Sequence, residues 1–421
     1  MSILDKYKTA YFSRYKSVGS NFTYLLVAQA LTLLLPFVTY PYLIRTLGKD
    51  TYGLYVFACG IVSYYAFVVD FGFNTVASKE IASNRDDNRK ISEIVTYVFF
   101  IKFLLLLLCL LVCVALVSFV PFLHDNARLH YLCFLTCLAN LFFPTWFFQG
   151  MEKLKYVAYI NSLSRGLFTV LIFLLVKNQT DYLWLPILNF LGVIIGGIIC
   201  CYLLFVKYNI RITAIRTDKM KYYITRNVPF FASKLSDVVN NETNTILLGS
   251  FAGMDSVAYY DLAKKVMNIA VIPFSTLNEA TYPYVARTKD MRLVAKLLLA
   301  VVIGGILLYA LIALFSKEVI LLLGGSELLG SQPVFFILGL MIPLSGITFF
   351  LGYTVLVVMD KSRYFNKSVI LQTMVFASLT GIFILSGIWN LYTAAAIATF
   401  CTAFQVAYRW YYVKKFSLMN S

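Results

Sequence analysis

The feature that most constrains this chain is a recurrence of long apolar runs separated by short basic segments. A helix needs about twenty apolar residues to cross the hydrocarbon of a bilayer. Runs of that kind lie near 20–44, 52–73, 92–120, 128–148, 157–176 and 182–206. They recur near 226–250, 257–281, 293–315, 332–358, 366–387 and 390–412. The pattern predicts an all-α integral membrane protein of about twelve transmembrane helices. The eighth run is the least apolar of the set. The run from Asn21 to Ile44 is far longer than a signal-peptide core and has no small-residue cleavage site after it, so it is expected to stay as a first helix.

Composition agrees. Of the 421 residues, 60% are hydrophobic and 13% charged, with a mean hydropathy of +0.77. A soluble domain carries roughly a quarter of its residues as charges. Part of the aromatic excess is expected at the two membrane–water interfaces. A formal net charge of +16 could indicate nucleic acid. The basic residues, however, form short runs between apolar segments, the arrangement by which loops set membrane orientation. With the N-terminus on the cytoplasmic side, the cytoplasmic segments hold 26 Lys and Arg, including Lys6, Lys8, Arg14 and Lys16 and three at 409–415; the exterior loops hold Arg45, Lys49, Arg128, Lys177 and Lys317. Both termini are therefore expected on the cytoplasmic side.

The eight cysteines (Cys59, Cys109, Cys113, Cys133, Cys137, Cys200, Cys201 and Cys401) all lie in apolar runs without C-x-x-C spacing, and His124 and His130 flank one short loop. Neither a metal site nor a disulfide framework is indicated. No residues suggest hydrolysis: there is no Ser–His–Asp arrangement, and no catalytic residue is assigned.

A short repeat divides the chain. Residues 48–55 read GKDTYGLY and residues 253–260 read GMDSVAYY. At an offset of 205 residues Gly48 meets Gly253, Asp50 meets Asp255, Thr51 meets Ser256 and Tyr55 meets Tyr260. Each reads as a tight exterior turn, with Thr or Ser as helix N-cap. The offset links the first run to the seventh, as two six-helix lobes of like orientation require. The lobes are placed at 1–212 and 213–421.

Charge inside a span costs roughly 2.5–3.5 kcal/mol on insertion scales, so it marks a paired or cavity-facing group. In the seventh run Lys234, Asp237, Asn241 and Asn244 fall within about 80° of one another at 100° per residue, with Ser233 and Asn240 beside them. Glu242 lies off this stripe. The stripe either lines a central cavity or forms a hydrogen-bonded seam with a Lys–Asp pair. In the eighth run Asp261, Lys264, Lys265 and Asn268 share about 100°, and Asp261 and Lys265 stand i,i+4. These lysines could equally snorkel outward. Glu279, beyond Pro273, is nominally on the same face or simply interfacial. In the first half, Arg165 sits two turns inside its helix, Asp70 ends the second helix as a cap or a substrate contact, and Lys102 lies deep in the third unless it snorkels.

The ordered motifs P-Y-L-I-R-T-L-G (41–48), Y-G-L-Y (52–55), D-F-G-F-N (70–74), P-T-W-F-F-Q-G (144–150), N-x-P-F-F (227–231), L-L-G-S-F (247–251) and the Y-Y-D-L-A-K-K run from Tyr259 carry a resemblance. The chain resembles the bacterial O-antigen and capsule flippases, the polysaccharide-transport branch of the multidrug/oligosaccharidyl-lipid/polysaccharide exporter superfamily, over nearly its whole length. The resemblance implies two six-helix lobes around a central cavity in the bacterial inner membrane. It implies movement of an undecaprenyl-pyrophosphate-linked oligosaccharide from the cytoplasmic to the periplasmic leaflet by alternating access. It implies no cofactor, coupling to a proton or sodium gradient, and association with membrane lipids, a polysaccharide polymerase and a chain-length regulator. Arg165, Lys234, Lys264, Lys265, Lys102, Asn241, Asn244, Asp70, Asp237 and Asp261 are then candidate substrate or cavity residues. Asp237, Asp261, Glu242 and Glu279 are candidate carriers of the coupling ion. Two alternatives stand beside this reading. A cation-coupled drug antiporter should have a cavity dominated by carboxylates, whereas the candidates inside the spans balance, with Lys102, Arg165, Lys234, Lys264 and Lys265 against Asp70, Asp237, Glu242, Asp261 and Glu279. A membrane-embedded polymerase or ligase needs a sizeable exterior region, and every exterior loop is short. A scaffold without transport is a more distant alternative.

Overall fold

The computed structural model describes residues 3–419, with side chains described for 35 and 38–419 apart from 233. The basic residues before the first span lie outside the described side chains. Helices account for the regular structure, and no strand occurs among the described residues. They are α1 (Ile3–Asp70), α2 (Phe73–Ser83), α3 (Asn88–Phe119), α4 (Pro121–Asp125), α5 (Ala127–Leu135) and α6 (Leu138–Phe142). Next come α7 (Thr145–Gly150), α8 (Leu154–Leu175), α9 (Trp184–Tyr202), α10 (Thr217–Phe251), α11 (Met254–Thr288) and α12 (Met291–Leu314). The series ends with α13 (Ser316–Gly324), α14 (Gln332–Gly339), α15 (Met341–Phe349), α16 (Ser362–Leu385) and α17 (Leu391–Lys415).

Nine helical runs among the described residues are long and apolar enough to cross a membrane. The difference from the expected twelve has two sources. Most of the first predicted span, near 20–44, lies outside the described side chains, and the first counted run begins at Val38, on a helix α1 that continues into the second predicted span with a bend at Gly48. Helices α10 and α11 are each 35 residues long, about 50 Å at 1.5 Å per residue. Their charges, among them Lys234, Asp237, Asp261 and Lys265, lower their apolarity. Elsewhere the outer faces are plainly apolar. Phe103, Leu104, Leu107, Leu108 and Leu111 of α3 and Leu299, Ile303, Ile306 and Leu307 of α12 are all exposed. Apolar faces of this extent are stable only against lipid or another protein.

The bend in α1 and the break between α10 and α11 are the same structure. Gly48 has φ 73° and ψ 165°, and Gly253 has φ 98° and ψ 162°. This backbone region is essentially open to glycine alone. The octapeptide repeat is therefore a repeat in three dimensions. One detail differs from expectation. Ser256 does not cap α11 with its hydroxyl, which instead donates to the Ala252 carbonyl at 3.1 Å. The Asp255 carboxylate, at the second position of α11, accepts the Ser256 N–H at 2.7 Å.

The chain divides into two compact units, the first made of Met1–Tyr42 and Ile61–Leu235, the second of Leu43–Gly60 and Ser236–Ser421. In the first, Phe73, Ile94, Tyr97, Trp146, Phe147 and Phe148 form the centre of a buried cluster. Helix α9 turns Gly192 and Gly196 toward α8, and a Cβ at Gly196 would stand 2.8 Å from Ile160. Small residues of this kind let transmembrane helices approach closely where no hydrophobic force drives them together. The second unit repeats the device between α12 and α15, where a Cβ at Gly305 would stand 2.7 Å from the Pro343 backbone. Its core gathers Phe274, Val294, Phe350, Leu351 and Val355. Residues Phe350–Val357 form a π-helical segment, a departure from α-geometry that often accompanies functional sites.

The glycine turns give a direct test. Gly253→Ala should lose about 1–3 kcal/mol through forced backbone strain. Gly166→Ala in α8, where a Cβ meets nothing within 4 Å, should be neutral or stabilising by up to about 1 kcal/mol. Melting temperatures of the two purified variants in detergent report the difference.

Candidate functional site

In the first unit three sequence motifs meet around one carboxylate. Asp70 is the last residue of α1, and Phe71 and Gly72, at φ 48° and 77°, turn the chain into α2. Gly72 lies against the backbone and Cβ of Phe230–Phe231 on α10, where a Cβ would stand 3.1 Å from that of Phe230. Phe231 stacks on Phe67 at 4.6 Å and meets Phe71 at 5.0 Å. Thr145, at the start of α7, donates to the Asn74 side-chain oxygen at 3.1 Å. D-F-G-F-N, P-T-W-F-F-Q-G and N-x-P-F-F are thus one packing unit, whose aromatic contacts fix where Asp70 points.

Asp70 faces two ammonium groups. Lys102, 2% exposed on α3, places Nζ 3.3 Å from its carboxylate and also donates to the Asn140 carbonyl at 3.2 Å. Lys234 on α10 places Nζ 3.6 Å from the other carboxylate oxygen, with 38% of its side chain exposed. The sequence left Asp70 as a cap or a substrate contact, Lys102 as deep in its helix or snorkelling, and Lys234 as facing a cavity or paired with Asp237. The geometry gives instead a shared carboxylate, with Lys102 buried and Lys234 at its open side. Arg165 does not join them: it lies exposed on α8. Among the described residues this cluster holds two positive charges against one negative.

The second unit holds the remaining candidates. Asp261 and Lys265 form the predicted i,i+4 ion pair. Tyr52 completes it, donating to Asp261 at 3.0 Å and accepting from Lys265 at 2.7 Å. Lys264 pairs with Glu242 at 3.5 Å and donates to the Asn241 carbonyl. The i,i+4 pair and the Glu242 contact hold both lysines over the helices instead of letting them extend outward. The polar residues of the α10 stripe take different partners. Asn244, fully buried, donates to the Tyr260 hydroxyl at 2.9 Å and to the Ala394 carbonyl at 3.4 Å, so it is part of an interhelical seam. Asn240 donates to the Thr373 hydroxyl at 3.1 Å. Asn241 returns to the Asp237 carbonyl of its own helix at 2.7 Å. Glu279 is exposed beyond Pro273, apart from these groups.

One buried cation was not among the candidates. Arg409 on α17 is 2% exposed. Counted in the sequence with the terminal loop charges, it is instead inside the second unit. Its Nε donates to the Ser368 hydroxyl at 2.9 Å and its Nη1 to the Thr348 carbonyl at 2.6 Å, with Phe365 under the guanidinium at 4.6 Å. It borders a cavity of about 270 Å³ that Asp237, Asn240 and Asn241 also line. No group of three or more His, Cys, Asp or Glu able to hold a metal occurs among the described residues.

Comparison with known proteins adds the following. Residues 18–289 match the family described as polysaccharide biosynthesis protein. An Escherichia coli (strain K12) protein named "Putative O-antigen transporter" is 26% identical over 319 residues, 74% of either chain. Among solved structures, the lipid II flippase MurJ in an inward closed conformation superposes with a TM-score of 0.74 at 14% identity, over 92% of this chain and 87% of that one. An inward-facing multidrug resistance transporter of the MATE family, in the MOP superfamily, superposes with a TM-score of 0.70 at 14% identity, over 92% and 96%. The fold is that of these transporters, and the named relative is a transporter, in agreement with the sequence reading of a transporter and not an enzyme.

The shared carboxylate separates two variants. Asp70→Asn leaves Lys102 buried without a counter-charge and should cost about 3–5 kcal/mol. Lys234→Met keeps the Asp70–Lys102 pair and should cost less than about 1 kcal/mol. Thermal unfolding of both, with the Asp70→Asn/Lys102→Met double variant recovering part of the loss, checks the assignment.

Proposed function

As the chain belongs to the polysaccharide biosynthesis protein family, we propose that it is a flippase for an undecaprenyl-pyrophosphate-linked oligosaccharide. It would carry the repeat unit of a surface polysaccharide such as O-antigen from the cytoplasmic to the periplasmic leaflet of the bacterial inner membrane, by alternating access. The observation that carries this reading is the pair of ammonium groups on one carboxylate. Lys102 needs Asp70 because it is buried. Lys234 shares that carboxylate at longer range and keeps an open side. A phosphate oxyanion accepts strong hydrogen bonds from an ammonium in such a setting. The diphosphate is the part of the substrate that cannot cross hydrocarbon alone, so it is the part a carrier must solvate. The exposed Arg165 is a second contact of the same sign. Lys264 and Lys265, each held by a carboxylate, supply less free charge. A drug–cation antiporter would want the opposite balance at Asp70.

Asp237, which lines the cavity of the second unit, and Asp261 and Glu242, each beside a lysine, are the carboxylates that could carry a coupling proton or sodium ion. Glu279 lies apart. A polymerase and a chain-length regulator would act on the delivered unit.

Deletion of the gene should accumulate complete lipid-linked units on the cytoplasmic leaflet and abolish surface polymer. Complementation by Lys234→Ala or Arg165→Ala should restore about a tenth or less of the polymer, in line with the loss of a charge-assisted contact of roughly 1.5–3 kcal/mol. Lys317→Ala, on the exposed start of α13, should restore it fully at equal expression. Units reaching the periplasm unpolymerised in the deletion strain would refute the flippase.

A further inference from the structure

The cavity in the second unit is a chemically mixed site that the two ammonium groups of the first unit do not explain. Its wall includes Arg409, Asp237, Gln372, Gln405, Tyr353 and Phe365. Arg409 is the unusual member. A buried guanidinium is normally matched by a carboxylate, and Arg409 has none among the described residues. Its three contacts are a hydroxyl, a carbonyl and a ring face. They fix the guanidinium plane without neutralising its charge. Nη2 makes no hydrogen bond to any described residue, and one Nη1 hydrogen is left over as well, since the group has five N–H donors. The bland account is a structural arginine that ties α17 to the Thr348 carbonyl. It accounts for Nη1 and Nε, but not for a formal charge left beside an open volume within the membrane-spanning part of the chain.

We propose that this cavity binds one acidic sugar ring, a hexuronate or similar sugar acid, of the transported oligosaccharide. The inference rests on the flippase reading and names its substrate class. A ring of this kind presents one carboxylate and several hydroxyls. Arg409 offers the carboxylate the donors it does not use. Asp237 accepts from hydroxyls, and Gln372 and Gln405 both donate and accept. Tyr353, on the π-helical segment and 4.9 Å from Phe365, supplies an aromatic wall for the apolar face of the ring. A volume of about 270 Å³ is at the lower end for ligand pockets, which suits a single ring and not a disaccharide. A diphosphate is a poor match. Its second charge would meet only the Asp237 carboxylate, and it has no hydroxyls for the amides.

The test uses the purified full chain in detergent, titrated with glucuronate, with glucose and with the methyl ester of glucuronate, followed by calorimetry. Glucuronate should bind in the millimolar range and at least about ten-fold more tightly than either neutral compound, as expected for one charge-assisted contact. Arg409→Lys, which keeps the charge and loses the fork, should abolish most of that preference. If Arg409→Lys does not fold, Gln372→Ala decides: it should weaken glucuronate by about five-fold while leaving the melting temperature unchanged, as for one hydrogen bond. Absence of glucuronate binding, equal binding of the ester, or an undiminished preference in the folded variants would overturn the proposal and leave Arg409 as a structural tie. Glucuronate binding by a chain whose deletion strain accumulates no lipid-linked units would keep the pocket and overturn the flippase.

Discussion

A charge inside hydrocarbon has to be solvated by the protein, and most of the polar architecture described above answers that single requirement. Lys102 is tolerated deep in α3 because Asp70 and the Asn140 carbonyl reach it. Lys265 is tolerated because Asp261 and Tyr52 do, and Lys264 because Glu242 and the Asn241 carbonyl do. The aromatic packing of Phe67, Phe71 and Phe231 then reads as the frame that keeps Asp70 in place. Where partners are fewer than charges, the excess is available to something else. The first unit has such an excess at Lys234 and the second at Arg409.

Helical period and hydropathy made the apolar spans legible, because each is a local property of about twenty consecutive residues. The glycine turns were legible too, since Gly48 and Gly253 are the only residue type that their backbone admits. Periodicity says which side of a helix a residue occupies. It does not say which helix lies opposite. Lys234 was therefore left between a cavity and a pair with Asp237, one turn away on its own helix, whereas its carboxylate comes from Asp70 at the far end of α1. The polar stripe of α10 was visible as a stripe, yet Asn244 belongs to a dry seam with Tyr260. Arg409 was lost in a different way. Close to a basic terminus, it counted with Lys414 and Lys415, and nothing in the local sequence shows that α17 sets it among Thr348, Ser368 and Phe365.

The two candidate contact regions differ in what they could read on a substrate. Ammonium groups around Asp70 act as point charges and accept any oxyanion, whatever sugar is attached. The Arg409 cavity combines a planar fork, amides and a ring wall, which discriminate by shape and by hydroxyl pattern. On the proposed reading, the first region would hold the invariant oxyanion of a lipid-linked unit and the second would sample its variable part.

The second unit includes Leu43–Gly60, a length of α1 that lies far from the rest of it in sequence. A hybrid gene spliced at the central basic loop would therefore not exchange one body for another. It would join a foreign second unit to a native helix end that has to dock in it, with Tyr52 meeting whatever stands in place of Asp261 and Lys265. Recombination between relatives would keep the Tyr52 contacts with Asp261 and Lys265 matched only where that short segment travels with the second half.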